Sequence, residues 1–203
     1  SFANYVFGKF RYLLEDPGRN ARDTEVLRAA LLERERAVAA INTAAQGTDE
    51  AAKAALPDRR ELLAAIDARI RLRLRASDLA AFDVLKDSQI EQFQLEDFAQ
   101  GVSEVAPLGE TERRAILFSK LGYRARFRET LEQSGLLQGG LAPAQRQAAL
   151  PAVSRALRES HEGFLHEARQ YLRDEERYTL LANYETSEYT AELEKLRRIA
   201  SGG

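Results

Sequence analysis

The sequence predicts an all-α protein, and three observations support that prediction. Ala, Leu, Arg and Glu, which are strong helix formers, dominate the 203 residues, and runs rich in Val, Ile and Thr are absent. Apolar residues recur at intervals of three and four along most of the chain. One phrase, a Leu followed four residues later by Glu or Gln and then by Arg, occurs three times. We expect an antiparallel bundle, or an extended array, of about six to seven helices.

The repeated phrase has the features of a helix start. Its copies begin at Leu108, Leu141 and Leu172, and successive copies lie 33 and 31 residues apart. An apolar residue just before a helix packs back on the first turn, and acidic residues or a proline such as Pro143 suit that turn. The spacing accommodates one helix of about 20 residues and a turn. Each copy therefore predicts one helix of the second half.

Taken in order, the apolar pattern predicts the following elements. They are a short helix over 2–14, a long helix from Thr24 to about 45, a polar loop over 46–57, a helix over 58–75, a helix from Ser77 to about 102, a helix over 109–133, a helix from Pro143, and a last helix over 174–199. Pro151 should kink or restart the helix that contains it. We expect a single domain over 1–203, with a division between 76 and 77 as an alternative.

Charge is distributed unevenly. Residues 77–110 carry eight acidic side chains and one lysine, whereas residues 111–160 carry nine basic and four acidic side chains. An acidic helix followed by a basic one predicts antiparallel neighbours whose flanks attract each other. The Arg residues of 69–75 and 124–128 alternate with other residues, which spreads their charge around a helix. We therefore expect ion pairing there and no nucleic-acid binding, which usually needs a net basic domain.

No motif of a known catalytic site is present. His161 and His166 are five residues apart, which separates them by about 140° around a helix, so they do not match the metalloprotease spacing. The carboxylates that a di-iron bundle needs three residues before each His are missing, and the chain has no Cys. A remote alternative is a metal or acid–base site on Asp83, Asp87 and Glu91, which would share one helix face. We expect no enzyme activity and no cofactor.

Binding of a partner through exposed apolar surface is the function class that remains. A protein built from a single layer of long helices leaves some of its apolar faces uncovered. The candidate partner-binding residues are aromatic and belong to the acidic helix and the last helix. They are Phe82, Phe93, Phe98, Tyr178 and Tyr184. The expected partner is another protein, or a second copy of the chain.

The phrases at Leu141 and Leu172 resemble the Leu-Thr-x-x-Gln motif of periplasmic stress proteins of the Spy/CpxP kind. Leu141 and Gln145 match in one copy; Leu172 matches in the other, with Glu176 in the place of Gln. The resemblance covers residues 136–199. It implies a small helical protein without enzyme activity that holds unfolded clients or modulates an envelope sensor.

The stretch from Phe82 to Asp87, followed by Gln92 to Glu96, is similar to a helix of lipase-specific foldases. Those proteins are anchored, extended helical chaperones of the bacterial periplasm. Residues 1–20 contain no counterpart of their N-terminal motif. This resemblance, like the first, implies an accessory protein of the bacterial envelope.

Together these patterns predict a chaperone- or adaptor-like interaction protein that faces the periplasm. The chain has no 18-residue apolar run and no Met, so we expect no membrane span within it and a signal peptide or anchor upstream of Ser1. The alternative is a cytoplasmic oligomeric scaffold or regulator that uses the same helices for self-assembly.

Overall fold

A computed structural model describes residues 1–55 and 58–202, and it confirms the all-α prediction. The described residues form ten helices and no strand. The helices are α1 (Phe2–Lys9), α2 (Arg11–Leu14), α3 (Ala21–Ala45), α4 (Glu50–Ala55), α5 (Arg59–Arg71), α6 (Ala76–Leu85), α7 (Gln89–Gly101), α8 (Glu110–Ser134), α9 (Pro143–Tyr171) and α10 (Glu175–Ser201). The predicted count of six to seven is therefore wrong.

The extra helices arise from breaks that the apolar periodicity does not show. The predicted helix over 2–14 divides at Phe10, and the one from Ser77 divides between Leu85 and Gln89. The predicted loop over 46–57 contains α4, while its last two residues, 56 and 57, lie outside the described part of the chain. Helix α9 continues through Pro151 instead of restarting there.

The chain forms two compact units, Ser1–Asp87 and Ser88–Gly203. The boundary lies in the short connection between α6 and α7, beyond the division between 76 and 77 that the sequence offers as an alternative. The first unit contains α1 to α6, and the second contains α7 to α10.

The first unit packs around α3, which contacts α1, α2 and α5. Its core includes Phe10 and Phe82, whose rings stack with centroids 6.1 Å apart. Ion pairs lie inside this unit as well: Lys9 Nζ donates to Glu35 at 2.9 Å, and Arg34 donates to Asp67 at 2.6 Å. Buried charges are tolerated here because each has an opposite partner within hydrogen-bonding distance.

The second unit is an antiparallel bundle, and the repeated phrase begins three of the four helices described in it. In α8 and α9 the Glu or Gln of the phrase caps the helix: Glu112 Oε1 accepts from the Gly109 N–H at 3.1 Å, and Gln145 Oε1 accepts from the Ala142 N–H at 2.8 Å. In α10 the Asp174 side chain accepts from the Arg177 N–H. The three predicted helix starts are thus confirmed, with a capping bond at each.

The acidic and basic helices lie side by side, as their charges predict. Moving forward along α8, Arg113 pairs with Glu96, and Arg124 and Arg128 pair with Glu91. As the residue number rises along α8, the residue number of its ion-pair partner in α7 falls, so the two helices are antiparallel. The apolar core of this unit includes Phe98, Phe127, Phe164 and Leu181.

Within residues 1–55 and 58–202, none of the helices combines the length and the apolar character that crossing a membrane requires.

Candidate functional site

The five aromatic residues predicted to bind a partner occupy different environments. Phe82 is fully buried in the first unit, and Phe98 is buried in the second. Phe93 is 72 % exposed on α7. Tyr178 and Tyr184 are half-buried on α10. Phe82 and Phe98 therefore belong to the two cores, and the sequence-predicted set does not form one surface.

The two tyrosines are held by neighbours within the second unit. The Tyr184 hydroxyl donates to Asp97 at 3.0 Å, and its ring lies 5.4 Å from the Phe98 ring. Burial raises the pKa of Tyr184, and the nearby carboxylate of Asp97 raises it further. The Arg169 guanidinium lies 4.4 Å from the centre of the Tyr178 ring. These contacts position both rings against the bundle.

The proposed carboxylate stripe of Asp83, Asp87 and Glu91 does not exist. Helix α6 ends at Leu85 and α7 begins at Gln89, so the three residues do not share a helix. Asp83 pairs with Arg71 in the first unit, and Glu91 is 1 % exposed in the second. Within the described part of the chain, His, Cys, Asp and Glu form no group of three or more that is arranged to hold a metal ion.

A buried polar cluster joins α7, α8 and α10. Lys120 Nζ donates to Gln94 Oε1 at 2.7 Å and to Glu185 Oε1 at 2.8 Å. Gln94 Nε2 in turn donates to Glu188 at 2.8 Å, and Arg124 makes two bonds of 2.8 Å to Glu192. Because each of these cations bonds to a carboxylate, the cluster has the features of a structural network.

His161 lies at the edge of this cluster on α9. Its ring stacks on Tyr189 with centroids 4.7 Å apart, and burial lowers its pKa, although Glu185 opposes that shift. The adjoining cavity measures about 40 Å³, which holds one or two waters but no organic substrate. This cavity is smaller than the clefts that typically bind organic molecules.

A groove of about 520 Å³ runs between α8 and α9 in the second unit. We call it the α8–α9 groove. Its lining is mainly apolar and aromatic, and consists of Ala115, Phe118, Ser119, Gly122, Tyr123, Arg126, Glu167 and Tyr171. Ligand-binding clefts typically combine this volume with an apolar lining and a few polar groups.

The polar groups of the α8–α9 groove are incompletely satisfied. Glu167 accepts one hydrogen bond, from the Ser119 hydroxyl at 2.9 Å, and Arg126 lies over the Tyr123 ring at 5.5 Å. Among the residues that the structure describes, Glu167 has no cationic partner and Arg126 has no carboxylate partner. Burial raises the pKa of the Tyr171 hydroxyl to about 12, although the neighbouring Ser119 opposes that shift. Arg126 is exposed and Glu167 is half-buried, so both charges are accessible to a partner.

A second groove, of about 430 Å³, lies in the first unit beside α3. Its lining is formed by Ala40, Ile41, Ala44, Ala45, Lys53, Arg59 and Leu62. Both of its cations already have partners, since Lys53 pairs with Glu50 and Arg59 donates to Asn42. A ligand in this second groove would make apolar contacts only, so the α8–α9 groove is the stronger candidate site.

The sequence does not predict the α8–α9 groove. Its pattern groups Arg124, Arg126 and Arg128 in one cluster, whereas in the structure Arg124 and Arg128 pair with Glu91 and Arg126 lines the groove. The available signal was a glycine in the interior of each helix, Gly122 in α8 and Gly163 in α9. Glycine is costly in a helix interior unless a close approach or a gap requires it.

These two glycines allow a direct test of the packing beneath the groove. We expect Gly163→Ala to be less stable than Gly122→Ala by about 1–3 kcal/mol, the usual cost of overpacking. A Cβ at Gly163 would lie inside contact distance of the Tyr123 ring, with Cδ1 at 2.9 Å, whereas a Cβ at Gly122 meets nothing within 4 Å. Both changes bring the same gain in helix propensity, so their difference isolates the clash. Urea denaturation of both variants measures it, and equal stabilities would contradict the close approach.

Comparison with known proteins adds no assignment: no family model, curated protein or solved structure matches this chain.

Proposed function

We propose that this chain is a helical protein-interaction domain without enzyme activity, chaperone- or adaptor-like, that binds another polypeptide in the α8–α9 groove. The observation that supports the proposal most is the combination of an aromatic lining with one cation and one carboxylate that have no ionic partner among the described residues. Apolar grooves that contain a few polar groups without hydrogen-bond or ionic partners are typical of surfaces that bind the side chains of a partner helix.

The competing functions receive less support. The buried ion pairs around Lys120 and Arg124 use the charges that a catalytic site would need, and the cavity beside His161 is too small for a substrate. The exposed Phe93, with Ile90 one turn before it, adds a small apolar patch on α7. That patch is a secondary candidate for partner contact.

An aggregation assay with the full chain tests the proposal. Chemically reduced insulin serves as the aggregating client, and we expect the chain to suppress its light scattering at several-fold excess. Gly122→Phe should abolish the suppression, because the new ring fills the groove where nothing lies within 4 Å of the added Cβ. Gly101→Phe is the matched control: it is also helical with open space around it, but it does not line the groove. Suppression that is absent, or equal in both variants, would count against binding in the groove.

We further propose a location in the bacterial envelope, facing the periplasm, on the basis of the two family resemblances. Cell fractionation followed by protease added from the periplasmic side tests the location. Digestion of the native protein in that experiment supports it. Protection inside the cytoplasm would favour the second candidate, a cytoplasmic oligomeric scaffold.

The scaffold is a specific second candidate because the α8–α9 groove carries one charge of each sign without an ionic partner among the described residues. A surface with both signs can pair with a copy of itself.

A further inference from the structure

We propose that the occupant of the α8–α9 groove is a second copy of this chain, related to the first by a two-fold axis. This inference rests on the proposed function, because it assigns a partner to the same groove; a client in the aggregation assay then has to displace the second copy. In the proposed dimer, Arg126 of each copy pairs with the partner's Glu167, and the aromatic linings of the two grooves pack against each other.

The symmetry of a two-fold interface decides which charges pair across it. In such an interface one patch meets itself, so a residue that contacts a different residue in the partner makes that contact twice. A patch therefore satisfies its own charges when it carries one cation and one carboxylate at separate positions. Arg126 and Glu167 meet that condition, because neither has an ionic partner among the described residues.

The spacing of the two charges suits this arrangement. Glu167 accepts its hydrogen bond from Ser119, so it lies level with that residue of α8. Ser119 and Arg126 are seven residues apart, which corresponds to about two helical turns, or roughly 10 Å along α8. Ser119 and Arg126 therefore lie on the same side of α8, and the charges of Glu167 and Arg126 are separated along the groove. A two-fold axis between them brings each charge over its opposite in the partner.

The centre of the groove leaves space for a partner. Gly122 lies between Ser119 and Arg126, it is exposed, and a Cβ there would meet nothing within 4 Å. Small residues at the centre of a helix contact allow backbones or rings to approach closely. The half-buried rings of Phe118 and Tyr123 flank this position and supply the apolar contact that desolvates the two ion pairs.

The test is sedimentation equilibrium of the full chain at increasing concentration, starting from the 22.8 kDa monomer. We expect wild-type mass to rise toward the dimer value. Arg126→Glu and Glu167→Arg should each remain monomeric, with a dissociation constant raised about tenfold or more by like charges across the axis. Arg197→Glu is the control: it changes the same charge on exposed α10 surface outside the groove and should dimerise like wild type. Circular dichroism confirms that each variant is folded.

Charge exchange makes the test specific. An equimolar mixture of the two single variants should form a mixed dimer. The glutamate introduced in one variant would face the arginine introduced in the other, and the native Glu167 of the first would face the native Arg126 of the second. The double variant Arg126→Glu/Glu167→Arg should dimerise with itself, because each introduced charge again meets its opposite in the partner.

Several outcomes would overturn the inference: a monomeric wild type, a dimer unaffected by either single change, or failure of both exchange experiments. The proposed function can survive that failure. If the wild type is monomeric while Gly122→Phe still abolishes client suppression, the α8–α9 groove binds a polypeptide other than a second copy of this chain.

Discussion

Replacing Lys120 with Met is expected to destabilise the second unit by about 3–5 kcal/mol, the usual cost of breaking a buried ion pair from one side. Lys120 is 7 % exposed and bonds to both Gln94 and Glu185. Removal of its ammonium leaves Glu185, which is equally buried, without the cation that compensates its charge. Arg124 cannot replace it without loss, because both of its terminal nitrogens bond to Glu192.

The double variant Lys120→Met/Glu185→Leu should recover most of that loss. Two apolar side chains of similar volume remove both desolvation costs together, and such replacements of buried pairs are often neutral or stabilising. Lys53→Met serves as the control, because Lys53 forms an exposed pair with Glu50, and we expect a change within about 0.5 kcal/mol.

Tyrosine fluorescence during urea denaturation is a suitable measurement, since five of the seven tyrosines lie in the second unit. Hydrogen exchange of peptides from α8 and α10 assigns the change to that unit. A loss below about 1 kcal/mol for Lys120→Met, or a double variant no more stable than the single one, would show that the pair is not strongly coupled.

Local chemistry explains which parts of the fold were predictable. The starts of α8, α9 and α10 were found because the residues that cap them lie within three positions of the bonds they make, as Gln145 does with Ala142. The antiparallel pairing of α7 and α8 was found because opposite charges occur in neighbouring segments. Gln145 also shows that the repeated phrase has a capping role here, and the resemblance to periplasmic stress proteins stays a prediction.

Long-range contacts explain what was missed. The break between α6 and α7 contains neither Gly nor Pro; instead, Lys86 bonds to Asp67 of α5, nineteen residues away, and Ser88 is fully buried. The α8–α9 groove required the knowledge that Gly163 faces Tyr123, which no periodicity encodes. For the same reason the predicted aromatic site mixed core and surface residues.

Substitution of Phe82 and of Phe93 tests whether the predicted aromatic site combines a core residue with a surface residue. Phe82→Ala is expected to destabilise the first unit by about 3–5 kcal/mol, the range for removing a buried Phe ring. Its ring is fully buried, stacks on Phe10, and lies 5.5 Å from the Arg34 guanidinium, so its loss leaves a cavity beside a buried charge. Phe93→Ala should change stability by no more than about 0.5 kcal/mol, because that ring is 72 % exposed.

The pair is matched in chemistry, since both changes remove the same ring, and differs in burial alone. Hydrogen exchange of α3 and α6 peptides, combined with urea denaturation, measures the first effect, and the same experiment on α7 peptides measures the second. Similar losses in both variants would mean that Phe93 packs against the protein. A stable Phe93→Ala chain that nevertheless loses client suppression would place part of the partner contact on α7, outside the α8–α9 groove. Phe82→Ala therefore measures a contribution to the stability of the fold, and Phe93→Ala measures a contribution to partner binding.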